Sequence, residues 1–157
     1  MKRIGAIAGI LLIATVSILA LNAHGDSAVA GPGGGARTMR LTLLKQFFHS
    51  VDQAPRGNSV GDAQIFGGEL IGDGHRRGRL QAYCVVISAT NQECSFTYAL
   101  HGGQLASLVG YGRGFSGSHS SHDPIAGGSG VYAGARGEIS DREVSAQKDR
   151  LVFRLVR

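Results

Sequence analysis

Cys84 and Cys94 are the only thiols in the chain. Each lies five residues from Ala89. A tight turn there would set them opposite one another across a hairpin, where a disulfide is geometrically possible. A free functional thiol is the alternative. A metal site made from both cysteines and a histidine has no supporting ligand spacing. His119-Ser120-Ser121-His122-Asp123 mixes metal-ligating and nucleophilic types, but it lies in a Gly/Ser-rich stretch without helical spacing and reads as a solvated loop. No nucleophile elbow announces a Ser/His/Asp triad. Arg76, Arg77 and Arg79 flank glycines and suit a solvated hairpin end better than an anion contact. Arg136 sits between small residues. It either points into a barrel mouth, pairs with Asp62, or stays at the surface.

The thirteen-residue run IAGGSGVYAGARG, Ile125 to Gly137, holds five glycines. A phosphate-cradling loop would need G-x-x-x-x-G-K-[ST] and a following helix, and neither is present. Glycine also lets a strand bend, bulge or approach another backbone closely. The run therefore fits a strand that kinks as it turns a corner.

Such residues need elements to hold them, and the elements read as strands. Short apolar runs alternate with Gly, Pro, Asn and Asp punctuation. The runs predict strands at 39–51, 60–71, 78–88, 93–101, 104–115, 130–133, 137–144 and 150–156, with a polar loop at 117–124. No apolar stripe recurs at helical spacing. About eight short strands without crossover segments predict an antiparallel all-β sandwich or barrel.

Before these strands, Lys2 and Arg3 precede an apolar run, Ile4 to Leu21, and Ala28-Val29-Ala30 has the small-residue form of a cleavage site. Residues 1–30 read as a secretory signal peptide and 31–37 as a flexible lead-in, leaving 38–157 as one β domain. The expected location is outside the cytoplasm, with no stable membrane anchor after cleavage. An uncleaved anchor is the alternative. Loss of Lys2, Arg3 and Asp26 changes the net charge only from +5 to +4. The basic residues are scattered, there is no Trp, and no nucleic-acid motif occurs, which argues against DNA or RNA as a partner.

Four stretches follow one another in a distinctive order: Gly61 to Phe66, Tyr83 to Ile87, Gly102 to Gln104, and Ile125 to Gly137. In that order the chain resembles the allene oxide cyclase barrel-like family, which shares an eight-stranded antiparallel β-barrel with plant dirigent proteins. Phe47-Phe48-His49 followed by Asp52 is similar to the dirigent F-H-D strand, with two extra residues. The resemblance covers roughly residues 38–157. It implies a cofactor-free, metal-free barrel that binds a small hydrophobic molecule and steers its cyclisation or coupling.

Family members carry a first-strand carboxylate, a second-strand asparagine that holds water, and a third-strand cysteine. Here no Asp or Glu occurs between Thr38 and Val51, and the asparagine position holds Gly68. Only Cys84 matches. These departures argue against allene oxide cyclisation itself and leave open a non-catalytic secreted binding or surface protein. Self-association is left open too.

Strand alternation links Gln64 with Phe66, and Phe96 with Tyr98. The resemblance implies that the face carrying Phe66 and Cys84 looks inward. Gln64, Phe66, Cys84, Tyr98 and Arg136 are the expected ligand-binding residues, and Gly68→Leu is expected to fill the pocket without breaking the fold. A wholly packed interior is the alternative.

Overall fold

In a computed structural model, residues 36–57, 59–112 and 120–156 are described. The proposed signal segment and His119 lie outside them. Eight strands follow in order: β1 Arg37–Val51, β2 Ala63–Gly72, β3 His75–Val86, β4 Asn91–Leu100, β5 Gly103–Gly112, β6 Ser120–Gly130, β7 Arg136–Ser145 and β8 Lys148–Val156. Each pairs antiparallel with the next, and β8 pairs with β1 to close the barrel. There is no helix among the described residues.

Local chemistry explains the hairpins. Asp73 and Gly74 form the two-residue β2–β3 turn, and both have positive φ, 52° and 75°. Asp-Gly is favoured in such a turn because its twist matches that of the flanking strands. Cys84 and Cys94 are direct cross-strand partners on β3 and β4, and their sulfurs are bonded at 1.97 Å. The disulfide reading of the sequence therefore holds. The bond closes a short loop, so the chain-entropy estimate gives about 2–3 kcal/mol of stabilisation. We expect Cys84→Ala/Cys94→Ala to lower the unfolding free energy from urea titrations by that amount, and an unchanged value would show the bond to be energetically idle.

The sixth strand differs from expectation. Residues 120–124 belong to β6, whereas 131–135, expected as strand in part, form the β6–β7 turn. Gly130 and Gly134 have positive φ, 61° and 74°, which suits a turn. The polar string Ser120 to Pro124 looks like a loop by composition, yet Asp123 and Ile125 alternate inward.

Two irregularities shape the interior. Lys45 pairs with Gly68 and Phe47 with Gly67, so Gln46 is an extra residue in a bulge. A bulge resets the alternation of side chains. As a result Lys45 and Phe48 both face the lumen. On the other side, the β5–β6 ladder runs only from Gly103↔Gly130 to Ser107↔Ile125. Beyond it, Leu108–Gly112 and Ser120–Pro124 do not pair with each other.

The lower half of the lumen is filled. Leu43, Leu70, Tyr98, Leu105, Ile139, Leu151 and Phe153 are buried there. The upper half, framed by the ends of β1, β2 and β3 and by the β7–β8 turn, is open.

Candidate functional site

The open half holds a cavity of about 590 Å³, within the range of small-molecule sites. One wall is apolar. Phe48 and Phe66 stack with ring centroids 6.2 Å apart, and Phe66 meets Phe96 edge-on at 6.1 Å. Phe96 then stacks on Tyr98, which packs edge-on against Phe153 at 5.0 Å. A file of rings thus descends from the mouth into the core. Phe48, at the rim, is 60% exposed, which is unusual for so large an apolar side chain facing a lumen. Leu43, Leu80 and the Cys84–Cys94 bridge complete this wall.

The opposite wall is acidic. Asp123 on β6, Asp141 on β7 and Asp149 on β8 all take the inward phase of their strands. Asp123 is only 2% exposed. Lys45 Nζ lies 2.9 Å from Asp149 Oδ1. Asp141 Oδ1 is buried and has no hydrogen-bond partner among the described residues, an arrangement that costs stability.

The carboxyl of Asp141 is pushed up from 3.8 to about 7. Burial is the largest cause, and the neighbouring charges of Asp149 and Asp123 add to it, against smaller opposing effects of the Lys45 charge and a backbone hydrogen bond from Arg142. Asp149 is also raised, chiefly by burial and further by Glu143, while its hydrogen bond and charge contact with Lys45 oppose the rise. An acid that titrates near neutrality in a cavity can both give and take a proton.

Of the residues expected from the sequence, Gln64, Phe66 and Cys84 line this cavity, together with Cys94. Tyr98 shares their inward face but lies beneath the floor, almost wholly buried. Arg136 is not brought to them. It is exposed at the start of β7, opposite Val156, at the other end of the barrel. Asp62 instead accepts hydrogen bonds from the Gln53 and Ser59 amides, at 2.9 and 2.6 Å, and from the Ser59 hydroxyl.

Gly68 is buried and does not border the open space. A side chain there would run into the Leu44 carbonyl oxygen, so the expectation that leucine fills the pocket is corrected. The glycine serves the close approach of β1 and β2.

His122 points to the outer surface, where its Nδ1 lies 2.9 Å from Glu138 Oε1 and Arg154 shares the same carboxylate at 3.0 Å. Among the described residues no group of three or more His, Cys, Asp or Glu could hold a metal ion. Arg76 and Arg77 lie at the β2–β3 hairpin end, beside Glu69 and Asp73. A second hollow, of about 520 Å³ at the lower end, is bordered by Arg37, Arg77, His101 and Tyr132.

The acid wall was missed in the sequence, although a signal existed. In β8, Asp149 takes the same phase as Leu151, Phe153 and Leu155. A carboxylate on the apolar phase of an alternating strand is a marked departure from solvent-facing placement.

No protein-family model matches the chain, and no curated protein matches it. Solved structures do. A pyocyanin demethylase superposes with a TM-score of 0.67 at 24% identity, covering 76% of this chain and 99% of that one. An exo-specific intermolecular Diels-Alderase gives 0.65 at 15% identity, over 79% and 100%. A pterocarpan synthase dirigent protein gives 0.57 at 15% identity, over 78% and 87%. The chain has the cyclase/dirigent-like barrel fold. The barrel resemblance seen in the sequence is thereby supported at the level of fold.

Proposed function

We propose that the upper cavity binds a small organic molecule through its ring system and that Asp141 exchanges a proton with the bound molecule. The observation that carries this reading is a carboxyl raised to about 7 across the cavity from stacked phenylalanines. The apolar wall supplies affinity and orientation, and orientation alone can lower a cyclisation or coupling barrier. Proton transfer by a positioned acid adds typically 10²–10⁴-fold to a rate. The names of the structural neighbours, a demethylase, a Diels-Alderase and a dirigent protein, support small-molecule chemistry in such a barrel. No step of this reading needs a cofactor.

The place of action is proposed to be extracytoplasmic, after removal of residues 1–30. The order of that segment and the disulfide support it.

Two measurements test the reading. Nile red, a neutral planar probe, should be taken up with one site per chain, and Gln64→Trp at the mouth should weaken uptake at least tenfold. Carbon-13 carboxyl NMR should find Asp141 titrating near 7. No Nile red uptake would overturn the cavity assignment, and a midpoint near 4 would overturn the proton role.

A further inference from the structure

The charges around the cavity contradict the charge of the whole chain. The protein is net positive, +5 over the full sequence. Yet its upper lumen carries Asp141, Glu143 and Asp149 on the lining itself, with Asp123 buried on the adjoining strand. Lys45 is the one cationic side chain on that lining among the described residues, and it is engaged by Asp149. The histidine nearest in sequence, His122, faces outward to Glu138. The neighbouring Ser121 is uncharged, and Gln46, Gln64, Gln92 and Gln147 on the rim are neutral.

Carboxylates held in a low-dielectric concavity produce a focused negative potential. The rings opposite add to it, because an aromatic face is the negative part of the ring quadrupole. Asp141 Oδ1 is buried beside the cavity without a donor among the described residues; the Arg142 backbone hydrogen bond to the carboxyl offsets only part of its desolvation, which a positive or N–H-bearing group would offset further. Both walls thus favour one sign of ligand.

We infer that the ligand of this cavity is a planar ring compound carrying a positive charge, or an N–H edge that becomes positive on binding, with its rings on Phe48 and Phe66 and its charged edge toward Asp141. The inference rests on the proposed binding role of the cavity and goes beyond it in naming the ligand class. Ring compounds bearing a carboxylate or sulfonate are excluded by the same field.

Isothermal titration with two shape-matched probes tests it. N-methylquinolinium is permanently cationic, and 4-methylquinoline is neutral at pH 8. The cation should bind at least tenfold more tightly at pH 8. Its affinity should fall several-fold between pH 8 and pH 6 as Asp141 takes up a proton, while Asp123, Glu143, Asp149 and Lys45 set a background that persists. Asp141→Asn should remove that pH dependence and most of the preference. Glu143→Gln, at the exposed rim, should reduce the preference modestly. Equal binding of the two probes, or tighter binding of the neutral one, would overturn the cationic ligand class and leave the cavity reading standing. Binding of neither would overturn both.

Discussion

Asp141→Asn is expected to make the protein more stable at pH 8 and to leave it nearly unchanged at pH 3.5. The native Asp141 carboxyl holds its proton up to about pH 7, against 3.8 for the ordinary group. Between those values the folded chain binds a proton that the unfolded chain has released. Stability therefore falls as pH rises through this window, and the loss levels off above about 7. Below about 3.8 both states are protonated, and aspartic acid and asparagine are close equivalents. At about 1.4 kcal/mol per pH unit, the full window is worth about 4 kcal/mol at most.

The variant should gain that amount at pH 8, on the order of 10 °C in melting temperature, and less than half of it at pH 5. Thermal melts across pH 3.5–8 measure the difference directly. A gain independent of pH would mean that the carboxyl titrates at its ordinary value. A residue that destabilises its own fold at working pH is the kind of feature retained for function, so the same variant should lose the proton chemistry proposed for the cavity.

Gly68→Leu is expected to abolish or severely weaken folding. A side chain at this position meets the carbonyl of Leu44 and, at 2.9 Å, the backbone of Lys45. These are main-chain atoms at the β1 bulge and cannot swing aside. Overpacking costs 1–3 kcal/mol even where side chains can adjust. Here two strands must separate, and the expected loss is about 3 kcal/mol or more. Circular dichroism and urea unfolding would register it. A variant with wild-type stability would mean that β1 and β2 are not held as closely as their register implies.

The barrel was legible in the sequence because most strands advertise themselves. Runs such as Cys84 to Ile87 and Leu151 to Val156 are β-branched or alternating, and Asp73-Gly74 marks its turn. The sixth strand was hidden because its upper half carries Ser, His, Asp and Pro, the usual vocabulary of loops. Only Asp123 and Ile125 betray its period, and two points make a weak pattern. The Gln64, Phe66 and Cys84 face was legible from alternation together with the family resemblance.

The acid wall was not legible, for a specific reason. The resemblance directs attention to a carboxylate on the first strand, where this chain has no Asp or Glu between Thr38 and Val51. The carboxylates stand instead on β6, β7 and β8, and they come to one wall through the register of two successive hairpins, which strand alternation alone does not reveal. The bulge at Gln46, which turns both Lys45 and Phe48 inward, is likewise invisible to a strict two-residue period.

The short β5–β6 ladder gives the barrel a seam. Seven of the eight junctions around a closed ring must hold for it to remain a sheet; opening one converts it to an open sheet without dissolving the rest. Between β5 and β6 the main-chain pairing ends at Ser107↔Ile125, midway up the wall, whereas β4 and β5 stay paired to Asn91↔Gly112. Free energies of local opening track the hydrogen bonds and packed contacts that must be given up, so parting the staves here gives up less described pairing than at the β4–β5 junction. The seam runs beside Asp123, next to the carboxylates. A short ladder of the barrel therefore runs beside its most strongly charged interior surface.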